Sequence, residues 1–303
     1  MMITIKNFSK RFGAVEAVAG INLAVQAGEM FGLIGPDGAG KTTTIRTLCT
    51  LLTPDTGECR IKEFDVVRDY RAIRAIIGYM PQRFSLYPDL TVAENLRFFA
   101  DLFQVPAGIR REKIAHLLAF SQLEPFQKRR ASALSGGMKQ KLALCCTLIH
   151  TPEILFLDEP TTGVDPVARR EFWRILDTLK KEGVTIFVTT PYMDEAVRCD
   201  RVAFMHKGHI LACDQPQELI KLFPYTLLEI QGKNIIQANK ILSQIDEIKS
   251  IHVFGDKLHV ATPHGSDIFS KMNHLLAAHN YHEVHIQQIQ PGIEDTFIEL
   301  MQS

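Results

Sequence analysis

The chain has 303 residues, 46% of them hydrophobic, and 34 lysines and arginines balance 34 aspartates and glutamates. That length can bury a full core and has room for two domains, while the neutral balance excludes a global field steering the chain to nucleic acid or an anionic membrane. The opening MMITIKNFSKRF lacks a signal-peptide apolar stretch and no run of about 18 uncharged apolar residues occurs, so the sequence predicts a chain that neither spans a membrane nor is exported.

In chain order, ITIKNF (3–8) and INLAVQ (21–26) read as short strands, and EMFGLIG (29–35) as a buried strand closed by glycine. KTTTIRTLCTLL (41–52) reads as a helix. Further on come a buried strand ILFL (154–157), a glycine-closed helix FWRILDTLKKEG (172–183), and two strands, TIFVTT (185–190) and RVAFMHKG (201–208). Strands alternating with helices predict an α/β fold with a mostly parallel sheet. Between Pro88 and His150 the pattern turns to helices alone, opened by a Thr91/Glu94 capping box ahead of Val92, Leu96, Phe99 and Phe103 on one face. This predicts an inserted helical subdomain at about 88–150. Its Lys128-Arg129-Arg130 cluster reads as a solvated face, with a phosphate or acidic-partner role as the alternative.

After KLFPY (221–225) a second unit begins: strand LLEI, helix IIQANKILSQI, strands KSIHVF and KLHVA, helix DIFSKMNHLLAAH, strand VHIQQI. That is the split β-α-β order. The expected domains are therefore 1–223 and a C-terminal α+β unit, 224–303. The latter holds five lysines, no arginine and nine acids, a net −4, and is no basic arm. Its seven histidines from His252 to His285 lack an acid or cysteine to complete a ligand set, so no metal is expected there. The six cysteines form no CxxC pair and read as small buried hydrophobes in a reducing compartment.

Chemistry concentrates in three places. GPDGAGKT (Gly35, Pro36, Asp37, Gly38, Ala39, Gly40, Lys41, Thr42) is a complete G-x-x-x-x-G-K-[ST] between a predicted strand and a predicted helix. Its backbone N–H groups can curl around phosphate oxygens, Lys41 supplies a point charge, and the Thr42 hydroxyl can ligate Mg²⁺. In ILFLDEP, Asp158 ends a buried strand and Glu159 follows; two carboxylates there need a cation or a reaction to serve. Asp158 is expected to hold Mg²⁺ and Glu159 to orient or polarise an attacking water. LSGGMKQ (Leu134, Ser135, Gly136, Gly137, Met138, Lys139, Gln140) starts an apolar-faced helix and reads as a second anion site.

P-loop, SGG helix and DE strand in this order resemble the ATP-binding cassette (ABC) ATPases, over residues 1 to about 220. The resemblance implies a P-loop NTPase core with a small antiparallel β subdomain and an inserted helical subdomain. It implies ATP and Mg²⁺ as cofactors, with Gly35 to Thr43 binding nucleotide and Thr42, Gln82 and Asp158 serving the metal. It further implies a head-to-tail pair of cassettes, in which Leu134 to Met138 close on the partner's nucleotide. Phe12 matches the aromatic that stacks on adenine. Gln82, in YMPQ, matches the glutamine that reads metal and water and couples the site to a membrane subunit, with Arg83 to Tyr87 near that subunit. Asp165, in TTGVDP, matches the loop crossing the dimer interface.

Met138, the DPVARRE stretch and the GIEDTFIELM tail look most like ATPase subunits of multidrug and related bacterial exporters, whose permease is on separate chains. The expected location is cytoplasmic, at the inner face of the cell membrane through that permease. One position departs from the family. The strand after the DE site there ends in a histidine that contacts the γ-phosphate, and here Pro191 stands in its place, with no side-chain donor and no N–H. Tyr192 could substitute only if its hydroxyl reaches, and adjacent side chains point to opposite faces. The expectation is an own site that turns over slowly and a second, different cassette as partner, with a homodimer as the alternative. The alternatives are an ATP-sensing module without turnover, and a ribosome- or nucleic-acid-associated ABC protein, which one cassette and an acidic tail disfavour.

Overall fold

The computed structural model describes residues 1–83, 86–265, 268–281 and 283–302. They fall into two compact units, Met1–Pro216 and Gln217–Ser303.

In the first unit, β1 (Ile3–Phe12) and β2 (Val15–Val25) form an antiparallel hairpin with Phe12 opposite Val15 at its tip. Both strands run longer than the sequence suggested, because their tip residues are exposed and carry no apolar pattern. The apolar run β3 (Met30–Ile34) is buried throughout and feeds helix α1 (Lys41–Leu48). Next come β4 (Thr56–Ile61), β5 (Phe64–Asp65), α2 (Tyr70–Ile76) and β6 (Ile77–Met80). Helices α3 (Val92–Leu102), α4 (Ala107–Ser121) and α5 (Gly136–Leu148) follow without an intervening strand. The α/β alternation then resumes with β7 (Ile154–Asp158), α6 (Pro166–Lys181), β8 (Thr185–Thr190), the short α7 (Met193–Ala196), β9 (Arg201–His206) and β10 (His209–Asp214); α8 (Pro216–Ile220) starts on the unit's last residue and otherwise belongs to the second unit.

Two sheets result. One is antiparallel, in the order β2-β1-β4-β5; the other has six strands in the order β10-β9-β3-β8-β7-β6, parallel except for β10. Their shared core includes Ile3, Phe8, Phe31, Ile45, Phe156 and Phe187. Because β3, β8, β7 and β6 are parallel neighbours, their C-terminal ends come out on one edge, where open α/β sheets place ligands. Helix α6 starts six residues before the apolar run at 172, since Asp165 accepts the Val167 and Ala168 N–H groups and Pro166 occupies the first turn.

The second unit comprises β11 (Thr226–Gly232), α9 (Asn239–Leu242), β12 (Ser250–Phe254), β13 (Lys257–Thr262), α10 (Phe269–Ala278), β14 (Val284–Ile289) and α11 (Ile293–Gln302). Its antiparallel sheet has the order β12-β13-β11-β14. One face packs Leu228, Ile230 and Val260 against Leu242, Met272 and Leu276 of the helices. The helix expected over 235–245 is a 3₁₀ turn (Ile235–Ala238) followed by the single turn of α9. Glu229 is held in the sheet by Lys257 (2.9 Å) and the Gln231 and Gln287 amides, which keep its carboxyl low, at about 2. His259 meets Asp295 of α11 at 2.7 Å. The unit boundary precedes the expected 223/224 break because Phe223 packs with Leu227 and Ala261. Among the described residues no group of three or more His, Cys, Asp or Glu could hold a metal; His282 lies outside them. No described helix is long and apolar enough to cross a membrane.

Helix α3 opens as the sequence predicts, with the Thr91 hydroxyl accepting the Glu94 N–H and Glu94 accepting the Thr91 N–H. Thr91→Ala should therefore destabilise the protein by about 1 kcal/mol, read as a lower denaturant midpoint with an unchanged m-value.

Candidate functional site

The turn from β3 into α1 is shaped by what it cannot contain. A Cβ at Gly35 would lie 2.1 Å from the Met205 carbonyl oxygen, and one at Gly40, whose φ is +110°, would lie 2.3 Å from that of Ala17. Packing against β9 and β2 thus dictates both glycines, whereas Gly38 faces open space at φ +79° and is needed for its conformation. The loop is pinned by Gly208 N–H donating to Ala39 (2.9 Å) and Gly35 N–H donating to Thr190 (3.3 Å). Lys41 is buried. Its Nζ donates to the Gly35 and Pro36 carbonyls at 2.8 and 3.0 Å and lies 3.2 Å from Glu159 Oε1.

Strand β7 delivers the two carboxylates to the same edge. Asp158 is fully buried; its Oδ1 accepts from the Thr42 hydroxyl (3.1 Å) and the Thr189 hydroxyl (2.8 Å), while its Oδ2 has no partner. Burial raises the carboxyl above the usual aspartate range; the two hydroxyls oppose that shift, and the neighbouring Glu159 charge adds to it. A buried carboxylate oxygen with no proton to accept, beside a hydroxyl at a phosphate cradle, fits a hard divalent cation such as Mg²⁺. Glu159 turns out of the strand with φ +50°, its N–H donating to the Thr189 carbonyl at 3.0 Å. That left-handed bend is strained for a non-glycine residue and aims the carboxylate into the cleft. There it accepts from Gln82 Nε2 at 2.8 Å and from the Thr162 hydroxyl at 3.4 Å.

These groups border a cleft of about 430 Å³ lined by Ala17, the loop and helix start from Asp37 to Thr43, Gln82 and Glu159. The structure thus brings Lys41, Thr42, Asp158, Glu159 and Gln82 together. Phe12 stands apart at the hairpin tip, 49% exposed, with Lys10 Nζ 5.7 Å from its ring centroid. Leu134 to Met138 are outside the cleft. Ser135 caps α5 by accepting the Met138 N–H (3.3 Å), and a Cβ at Gly137 would meet that of Ala168 at 2.3 Å, whereas Gly136 is exposed beside a pocket shared with Gln82, Arg83, Lys139 and Gly163. Asp165 serves as the N-cap of α6. Pro191 leaves the end of β8, and the Tyr192 ring lies under Arg169 of α6, 5.2 Å from centroid to guanidinium. Of the Arg83–Tyr87 stretch, Phe84 and Ser85 lie outside the described residues. Sequence reasoning missed Thr189 and Thr162 as partners of the two carboxylates. Only the TT doublet before Pro191 and the TT after Pro160 could have hinted at them.

Residues 18–162 match the family model described as ABC transporter. The chain is 40% identical over 311 residues to the probable multidrug ABC transporter ATP-binding protein YbhF of Escherichia coli (strain K12), covering 99% of this chain but 52% of that protein, so it spans about half the length of that relative. It is 42% identical over 220 residues to the Nod factor export ATP-binding protein I of Burkholderia orbicola (strain AU 1054), covering 72% of each. Among solved structures, an ATP-binding subunit of an ABC transporter matches with TM-score 0.66 and 27% identity over 74% of this chain and 93% of that one. The cassette MJ0796, dimeric in a post-hydrolysis state with ADP and Pi, matches with TM-score 0.64 and 27% identity over 71% and 98%. With a glycine loop and an adjoining pair of carboxylates at one sheet edge, and these relatives, the chain belongs to the ABC transporter family.

Proposed function

We propose that this chain is the ATP-hydrolysing motor subunit of an exporter whose permease is on separate chains, working at the inner face of the cell membrane. One observation carries the reading: Lys41, Thr42 and a Glu159 tethered by Gln82 line a single cleft, and the buried Asp158, one oxygen of which has no partner, backs it through the Thr42 hydroxyl. Lys41 and the loop amides hold the phosphates. Thr42 and Asp158, with Gln82, hold Mg²⁺, which when bound neutralises charge on the phosphates. Glu159 orients the attacking water and accepts its proton. Phe12 offers its exposed ring to the base. The relatives' names, multidrug and Nod factor export, favour outward transport. The exposed Tyr87 ring, in the stretch after Gln82, and the exposed Phe98 ring 4.4 Å from it suit contact with a permease.

The exposed Ser135 and Gly136 are free to close on a nucleotide held by a second cassette, with the Asp165 loop beside them. The own site is slow, because Pro191 offers no donor where the family's histidine stands and Tyr192 is turned to Arg169. A second, hydrolysing cassette chain is then the natural partner.

Steady-state phosphate release by the isolated chain tests this. Turnover should be slow and abolished by Lys41→Ala, and Pro191→His should raise it by up to about 10²-fold, the typical worth of one transition-state donor. Brisk, Lys41-dependent hydrolysis by the unmodified chain would overturn the slow-site reading.

The raised Asp158 carboxyl makes a second prediction. The unfolded chain releases this proton near the ordinary aspartate value of about 3.9, before the folded chain does. The nucleotide-free protein therefore loses stability as pH rises from there through the folded pKa. Asp158→Asn removes that loss, so the melting temperature at pH 7 should rise, by about 2–4 °C per kcal/mol relieved, while Mg²⁺-dependent turnover disappears. A variant less stable than the parent at pH 7 would show that the charge is compensated without the metal.

A further inference from the structure

Strand β8 ends at Thr190, and four residues past Pro191 lies Glu195, 1% exposed. A carboxylate so deep carries a desolvation cost of several kcal/mol unless its oxygens are satisfied. They are. Oε2 accepts from the Thr190 hydroxyl at 2.6 Å; Oε1 accepts from the Thr161 hydroxyl at 2.6 Å and from the Trp173 indole N–H at 3.0 Å. Arg169 Nε stands 3.6 Å from Oε1. The Thr190 hydroxyl in turn accepts the Tyr192 N–H at 3.0 Å.

The partners come from three separate segments. Thr190 ends the strand whose carbonyl accepts the Gly35 N–H of the phosphate loop, and it immediately precedes Pro191. Thr161 lies in the loop that leaves Glu159 and runs to Asp165. Trp173 and Arg169 belong to α6, which begins at the Asp165 cap. Apolar side chains could fill this volume without the desolvation cost, as replacement of buried ion pairs illustrates. What a carboxylate adds is direction: short bonds from three segments fix their mutual register.

We propose that Glu195 is a positioning residue, which locks the strand end at 190–192 to the Thr161–Asp165 loop and to α6, so that nucleotide in the phosphate loop changes the surroundings of Trp173. The proposal rests on nucleotide binding at Lys41 and is independent of how fast that site hydrolyses.

Trp173 is the chain's sole tryptophan, so its emission reports this node alone. The experiment titrates the full chain with Mg²⁺-ATP and follows tryptophan emission, with equilibrium dialysis measuring binding in parallel. In the parent protein the emission should shift along the dialysis isotherm. Thr190→Val, close in size to the parent but without the hydroxyl, should bind with a Kd within about threefold of the parent yet lose most of the shift. Thr190→Ser, which keeps the hydroxyl, should retain it. Glu195→Gln should weaken the shift in the same way if it folds; the Thr190 pair decides the matter if it does not. No emission change on measured binding, or the same change in Thr190→Val as in the parent, would overturn the proposal. Absence of binding by dialysis would overturn the nucleotide-binding reading, and the proposal with it.

Discussion

The site depends on a carboxylate stranded at the end of a buried strand. Every residue of β7 is buried, Asp158 included, and one of its oxygens has no proton to accept. Left alone, such a group raises its pKa and weighs on the fold. The rest of the architecture attends to it. Thr189 from β8 and Thr42 from α1 converge on its other oxygen, and both reach it because β3, β8 and β7 are parallel neighbours with their ends aligned. A different strand order would separate the phosphate loop from the carboxylate that makes it useful.

Much of this was legible in the sequence, and for a physical reason. The P-loop and the DE pair are local patterns whose chemistry follows from adjacent residues, so Lys41, Thr42 and Asp158 could be expected at one site before any fold was known, as the SGG helix start could be expected to cap a helix. The Thr91/Glu94 capping box is equally local. What escaped was long-range. Thr189, Thr161 and Glu195 are ordinary residues that matter through partners about 30 positions away, and no periodicity marks them. The start of α6 escaped because an exposed first turn carries no apolar signal, although its Asp-Pro cap was in plain view.

The glycines of the two glycine-rich motifs are not equivalent. Gly35, Gly40 and Gly137 are small because backbone or a neighbouring methyl occupies the space where a Cβ would stand. Gly38 and Gly136 have room around them. A motif read as one chemical device is thus two layers, one that packs the loop against β9, β2 or α6 and one that leaves the approach open.

The pairing of Lys41 with Glu159 sets a threshold for what may enter. The lysine of the cradle already holds an anion, the protein's own carboxylate at 3.2 Å. A lone inorganic phosphate must displace that internal competitor with few contacts of its own, whereas a polyphosphate engages the loop amides along its length and has binding energy to spare for breaking the pair. Any anion that reaches Lys41 must therefore break a buried ion pair, a cost that a ligand with more contacts to the loop meets more easily.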